Sequence, residues 1–501
     1  MGRRIRQHLR LCCSNGPTWL WLTCLGLCAQ FVCLAAGQGM HAPAPYGPLP
    51  SPRQLRWMEL EFYGFVHFTV NTFTDKEWGY GDEPESVFNP SDFDADQIAA
   101  AAEAAGMKGL VLTCKHHDGF CLWPSKFTEH SVKNSPWRGG RGDVVRDLAV
   151  ACRKRGLKFG VYLSPWDRNR ADYGQASYLT YYRNQLRELL TNYGDVFIVW
   201  FDGANGGDGF YGGARELRHI DNRHYYDWEN TWRLVRELQP AAVMFSDVGP
   251  DVRWVGNEQG RAGATCWATL NPEGAPGNTS ANLNQGDRPG TAWIPPECDV
   301  SIRPGWFYHP AEDDKVKTPA QLLAIYYESV GRGACLNLNV PPDRRGQIHP
   351  NDLQSLQEFR RVLDATFAHN LAQDAEVTAS NTRGGTEEFA PVSVVRRNGG
   401  YWTTDDQVTT PQLVVAFGRP TTFNVVSLRE HLPLGQRVEA FGLDQWRNGQ
   451  WQEFATGTSI GHRRLVRTTP VTTEKLRLRI VRAAVCPAIA ELGVFLEPQA
   501  P

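Results

Sequence analysis

VFIVWFDG, residues 196–203, is a short apolar run that ends in an acid and a glycine. A strand buried on both faces is nearly all apolar, so a carboxylate at its end asks for a reason. Parallel barrels and sheets deliver their chemistry at the C-terminal tips of their strands, which is where Asp202 stands. The plainer reading is an aspartate that closes a turn with Gly203. What else converges on that face decides between the two.

Outward from this run, apolar strands alternate with amphipathic helices. Residues 64–70 (GFVHFTV), 109–115 (GLVLTCK), 158–165 (KFGVYLSP), 241–247 (AAVMFSD) and 334–342 (ACLNLNVPP) read as strands. Residues 53–61, 90–105, 143–155, 178–193, 228–238, 319–330 and 352–368 read as helices, with Ser91 and Asp92 as cap candidates for the second. This alternation predicts an α/β fold with a parallel sheet, a (β/α)8-like barrel over residues 51–370. Glycine-rich residues 208–220 read as an active-site loop, and their spacing does not match a dinucleotide fingerprint. After about residue 370 the helical period disappears. Short β-type runs at 412–418, 423–430, 437–446, 475–481 and 489–497 predict a C-terminal β-sandwich over 371–501.

Composition bounds the rest. The chain has 501 residues, 42% hydrophobic and 21% charged, which suits a two-domain globular protein. A formal net charge of −2 gives no reason to expect a nucleic-acid partner. Seventeen tryptophans suit either a heavy core or a sugar binder that stacks rings on apolar sugar faces. Arg3, Arg4, Arg6 and Arg10 precede an apolar run and the small residues Ala35-Ala36-Gly37, so 1–37 reads as a signal peptide and 38–50 as a linker. The expected location is secreted or extracellular, without stable membrane insertion if the leader is cleaved. Seven cysteines lie beyond the leader, an odd number that leaves at least one unpaired; Cys114 and Cys335 sit in apolar runs and read as buried thiols. Asn278 heads a glycosylation sequon.

The strand tips carry the chemistry. His67, the Lys115-His116-His117-Asp118-Gly119 run, Tyr162, Trp166-Asp167, Trp200, Asp202 and Asp247 all fall at or beyond strand ends. His116 and His117 are neighbours and would point to opposite faces of a strand, which argues against a metal site. No GxSxG elbow is present for a serine hydrolase. Glu258 lies on a glycine-flanked loop between Trp254 and Trp267, where apolar rings would raise its pKa and fit it for general acid work; the alternative is a solvated loop glutamate. Glu77 and Glu297 are further candidates. Two carboxylates with converging aromatics in a secretory context fit glycoside hydrolysis.

The motifs GFVHFTVNTFTDKEWGYG (64–81), KHHDGFCLWPS (115–125), GVYLSPWDRN (160–169), VWFDG (199–203) and SIRPGWFYH (301–309) together resemble the α-L-fucosidases of glycoside hydrolase family 29. WGYG, the VGNE loop and SIRPGWFYH resemble the subgroup that cleaves α-1,3/1,4-linked fucose, found in plant apoplastic and bacterial enzymes. The resemblance implies a retaining exo-α-L-fucosidase acting on fucosylated oligosaccharides or glycoproteins, with no metal or organic cofactor. It implies Asp202 as nucleophile and Glu258 as acid/base. It places His67, Glu77, Trp78, His116, His117, Tyr162, Trp200 and Trp306 around the sugar. A fucose-binding protein on the same barrel that has lost catalysis is the alternative; the presence of both carboxylates argues against it.

Overall fold

A computed structural model describes residues 41–272, 282–396 and 398–498. The leader and the sequon at Asn278 lie outside the described residues. Eight parallel strands close into a barrel: β1 (Phe62–Val66), β2 (Gly109–Lys115), β3 (Lys158–Leu163), β4 (Ile198–Trp200), β5 (Val243–Ser246), β6 (Val252–Trp254), β7 (Pro296–Ser301) and β8 (Cys335–Asn339). Each strand pairs with its neighbours in chain order. β8 closes the ring on β1, with Phe62 in register with Leu336.

Seven principal helices accompany these strands: α1 (Pro52–Met58), α2 (Ala95–Ala105), α3 (Val144–Lys154), α4 (Ala176–Asn192), α5 (Trp228–Leu238), α6 (Pro319–Glu328) and α7 (Pro350–Phe367). Side-chain caps start several of them. Asp143 accepts from Arg146 N at 2.9 Å, and Thr318 forms a capping box with Gln321. α2 begins later than its sequence suggests, because Asp94 rather than Ser91 or Asp92 accepts from Gln97 N at 3.0 Å. Asp92 instead holds Gln347 beyond β8.

The sequence under-counts the strands by two. β6 is three residues long and follows β5 with no helix between them. β7 begins at a proline and alternates: Glu297, Asp299 and Ser301 have one parity, Cys298 and Val300 the other. Cys298 and Val300 pack into the shell between strands and helices. Polar residues fill the inner face, so the strand lacks the continuous apolar run that marks a parallel strand buried on both sides. β4 is also shorter than VFIVWFDG implies, and Asp202 lies two residues past its end. The run 64–70 stops being a strand at Val66, where Thr69 caps a helical turn, Val70–Thr74.

Beyond the barrel, seven strands form one antiparallel sheet: β9 (Glu376–Ala379), β10 (Trp402–Thr403), β11 (Gln412–Glu430), β12 (Val438–Arg447), β13 (Gln450–Gly457), β14 (Arg464–Ala483) and β15 (Ala488–Phe495). The runs 412–418 and 423–430 are one strand, β11, with register shifts near Ala416 and Phe423. β11 and β14 run through both halves of the sheet, and residues from both halves share one core that includes Leu413, Leu443, Leu428 and Val494. The residues read as a linker are docked: Arg437 donates to Ala44 O, and Tyr46 N donates to Leu434 O. Ala42–Pro501 is one compact unit. All seven described cysteines are free and buried. Among the described residues no helix is long and apolar enough to cross a membrane.

Candidate active site

A cavity of about 270 Å³ opens at the C-terminal ends of the barrel strands. Its size is near the lower end of the range for small-molecule sites, roughly 300–1,000 Å³. All ten residues that the family resemblance places at the site line it: His67, Glu77, Trp78, His116, His117, Tyr162, Trp200, Asp202, Glu258 and Trp306. The sequence reading missed five further functional-looking lining residues as site members: Phe65, Phe245, Asp247, Trp254 and Asp299. In the sequence Asp247 is marked only as a strand end and Trp254 only as a neighbour of Glu258. Asp299 gave no signal because β7 itself was not legible.

Asp202 is held at both oxygens. Ala204 N donates to Oδ1 at 2.7 Å, and the Tyr162 hydroxyl donates to Oδ2 at 3.0 Å. Gly203 is required by close approach, since a Cβ there would lie 2.1 Å from Asp247 Oδ2. The turn reading and the site reading of Asp202 are therefore compatible: one oxygen closes the turn and the carboxylate still faces the cavity.

Burial keeps the three cavity histidines neutral, and hydrogen bonds fix the tautomers of two of them. Ser164 Oγ gives its proton to Trp166 O at 2.6 Å, so it accepts from His117 Nδ1 at 2.7 Å. That leaves Nε2 of His117 as a lone pair, 3.9 Å from Asp202 Oδ2. Burial, with the charges of Arg168 and Lys115, pushes the His117 pKa down to about 4 against the pull of Asp202, so this contact is not an ion pair at neutral pH. Asn339 spends its Nδ2 protons on Ser301 Oγ and Trp306 O, so its Oδ1 accepts from His67 Nδ1 at 2.8 Å. Burial lowers the His67 pKa to about 3. His116 is also pushed well down by burial, and its Nδ1 is buried without a partner among the described residues.

His116 and His117 both line the cavity, contrary to the opposite-face expectation. β2 ends at Lys115, so strand alternation no longer applies, and the two rings lie 4.1 Å apart. Lys115 is buried beneath them on Asp167 at 2.9 Å and Gln185 at 3.1 Å. Asp118, the acid of the same motif, turns back to cap Phe120 N and accept from Thr69.

Glu258 stands beyond β6, so the loop residue is also a strand-tip residue. Its side chain reaches solvent at the cavity mouth. Desolvation by the surrounding walls raises its pKa, and the charges of Asp202 and Glu77 add to the rise; a hydrogen bond from the Trp306 side chain opposes it. Asp299, almost fully buried, accepts from Trp254 Nε1 at 2.8 Å. Burial and the nearby Glu297 and Glu258 push its pKa well above the usual carboxylate range. Glu297, a sequence candidate, does not line the cavity. It lies below, accepting from Trp200 Nε1 at 2.8 Å, Asn337 at 3.0 Å and the Tyr63 hydroxyl, and burial raises its pKa to about 7. Its role is to fix the Trp200 ring.

Aromatic walls complete the cavity. Trp200 stacks on Phe245 at 4.0 Å, Tyr162 on Trp200 at 5.4 Å, and Phe65 meets Trp200 edge-on at 5.0 Å. Among the described lining residues there is no Lys or Arg and none beyond Trp306. Acceptor nitrogens and carboxylates facing rings suit a neutral polyol that carries an apolar group. Among the described residues no cluster has metal-ligand geometry.

Comparison with known proteins agrees with this chemistry. The Alpha-L-fucosidase family model matches residues 46–366. Alpha-L-fucosidase 1 of Arabidopsis thaliana is 43% identical over 465 residues, covering 91% of this chain and 89% of the relative. A glycoside hydrolase 29 family member from an unknown rumen bacterium is 46% identical at TM-score 0.82, over 91% of this chain and 79% of that one. A Ruminococcus gnavus GH29 fucosidase solved in complex with fucose is 32% identical at TM-score 0.83, over 92% and 97%. The chain belongs to the α-L-fucosidase family, glycoside hydrolase family 29.

Proposed function

We propose that this α-L-fucosidase removes terminal α-1,3/1,4-linked L-fucose from glycans with retention of configuration, with Asp202 as nucleophile and Glu258 as acid/base. The observation that carries the reading is the shared cavity: a carboxylate fixed at both oxygens faces a second carboxyl whose pKa its own charge helps to raise. Asp202 attacks the anomeric carbon while the glycosidic C–O bond breaks. Glu258 gives its proton to the leaving oxygen. The fucosyl ester then yields to water, which loses a proton to Glu258 as the bond to Asp202 breaks and fucose leaves. Neutral His67 and His117 accept hydrogen bonds from sugar hydroxyls at Nε2, His116 lies beside them, and Trp200, Phe245 and Trp306 face the methyl group.

The linkage preference rests on the WGYG, VGNE and SIRPGWFYH motifs. We assign catalysis to residues 51–370, a supporting role to 371–501, and a secretory route to the leader. Incubation with a Lewis-type trisaccharide and with 2′-fucosyllactose tests the linkage, and proton NMR of the first-formed anomer tests retention. Fucose release from the trisaccharide alone, first as the α-anomer, supports the reading. Release from 2′-fucosyllactose at comparable rate overturns the linkage, and first-formed β-fucose overturns retention.

A further inference from the structure

SIRPGWFYH ends in His309, a residue that the proposed mechanism leaves unused. We infer that His309 is a positioning residue: as an imidazolium it clamps Glu77 and the Trp306 loop into the wall of the sugar cavity, and its deprotonation loosens that wall.

Nδ1 of His309 lies 2.8 Å from Asp75 Oδ1, and Nε2 lies 2.6 Å from Glu77 Oε1. A carboxylate offers only lone pairs, and a neutral imidazole has one N–H. Both short contacts together require both nitrogens to be protonated. The surroundings favour that state. Asp75 comes from the end of the Val70–Thr74 turn, Glu77 from the segment after it, and Glu312 from the loop of His309 itself. Arg344, beyond β8, approaches Asp75 to 3.9 Å and is the cation facing this group. Burial would lower the imidazole pKa, but the hydrogen bonds to Glu77 and Asp75 and the charges of Glu77 and Glu312 raise it above 6.5.

The other side of Glu77 explains what the clamp holds. Trp306 N donates to its Oε2 at 2.8 Å and Phe307 N to its Oε1 at 3.1 Å. The loop is packed against the carboxylate with no slack: a Cβ at Gly305 would lie 2.6 Å from Glu77 Oε1 and 2.8 Å from His309 Cδ2. Oε1 is thus occupied by Phe307 and His309, while Oε2 retains acceptor capacity for a ligand hydroxyl. Loss of the His309 proton sets a ring lone pair against one of two carboxylates, and Glu77 and Trp306, both cavity residues, lose their brace. The effect falls on sugar binding rather than on bond cleavage.

The inference rests on the reading that this cavity takes fucose, and its test separates the two. Fucose affinity is measured by calorimetry from about pH 5 to pH 9 in a Glu258→Gln background, where the acid/base no longer titrates. Affinity should fall on the alkaline side as His309 loses its proton. Asp75→Asn should move that fall about one pH unit lower, a tenfold change in proton concentration. His309→Gln, which retains one donor but cannot titrate, should weaken binding roughly tenfold near pH 6 and remove the alkaline fall. An alkaline fall unmoved by Asp75→Asn, or a His309→Gln protein with unchanged affinity and pH profile, overturns the clamp. The imidazole pKa is read independently by side-chain NMR against the His309→Gln spectrum, and a value at or below 6.5 overturns the clamp whatever the sugar does. Fucose failing to bind at every pH overturns the sugar reading and the binding half of the inference together.

Discussion

Two regions of the molecule treat their acids in opposite ways. At the seam between barrel and C-terminal sheet, Glu61 meets Arg463 at 2.6 Å, Arg429, and His462 at 3.5 Å. Burial alone would raise its pKa, but these cations hold it far below the usual range. In the cavity Glu258 and Asp299 have no lysine or arginine beside them among the lining residues, and burial with like charges raises both. A matched acid is a fastener. An unmatched acid is held where its protonation state can change at modest cost, which acid/base work requires.

Substitutions can break this contrast, beginning with the cavity. Asp202→Ala should lower kcat/KM on the order of 10⁴-fold or more while circular dichroism and the thermal midpoint stay near wild type, because the variant breaks no ion pair to a lysine or arginine among the described residues. Glu258→Ala should cost roughly 10²–10⁴-fold on natural glycans and much less on aryl fucosides with good leaving groups. Equal losses on both substrate classes would remove Glu258 from the acid role. With Glu258 as the acid, activity on natural glycans should decline as pH rises through its elevated pKa, and Glu258→Gln should abolish that limb.

Glu61→Gln should do the reverse of Asp202→Ala: about 3 kcal/mol lost in urea unfolding, with little change in turnover. Its folded pKa lies below the ordinary 4.5, so its stabilisation is complete above that value and is lost as pH falls beneath it. Glu297 has the opposite sign. Its pKa is raised to about 7, so the folded state binds the proton more tightly and stability declines as pH rises from 4.5 to about 7. Glu297→Gln should flatten that decline when unfolding free energies at pH 5 and pH 8 are compared. The smallest effect belongs to Asp299→Asn. If burial keeps Asp299 protonated, an amide is a fair replacement and kcat/KM should change by only about threefold; a loss near that of Glu258→Ala would show that Asp299 works as an anion.

Much of the site was legible because its chemistry sits on short contiguous motifs. KHHDG, GVYLSPW and VWFDG each join a recognisable apolar strand to a polar tip, and barrel geometry brings such tips together. Legibility failed where a strand's interior face is itself polar. β7 presents Glu297, Asp299 and Ser301 inward, so a pattern search sees a mixed loop, and Asp299 and the eight-strand count were lost together. The same failure made Glu297 resemble a candidate acid, when its three donors show it to be the support of Trp200.

The sequence by itself determined the barrel class and the β-rich C-terminal region, since each depends on local periodicity, and its motifs carried the family resemblance that implies roles for Asp202 and Glu258. Only the tertiary structure decided how those groups are charged and held. A pKa depends on what surrounds a group in space, and the partners here are remote in sequence: Tyr162 for Asp202, Asn339 for His67, Glu77 for His309, Arg463 for Glu61. Asp202 began as an acid at the end of an apolar run. The fold gave it a fixed orientation, a cavity and neutral neighbours, and these turn a strand-end aspartate into a candidate nucleophile.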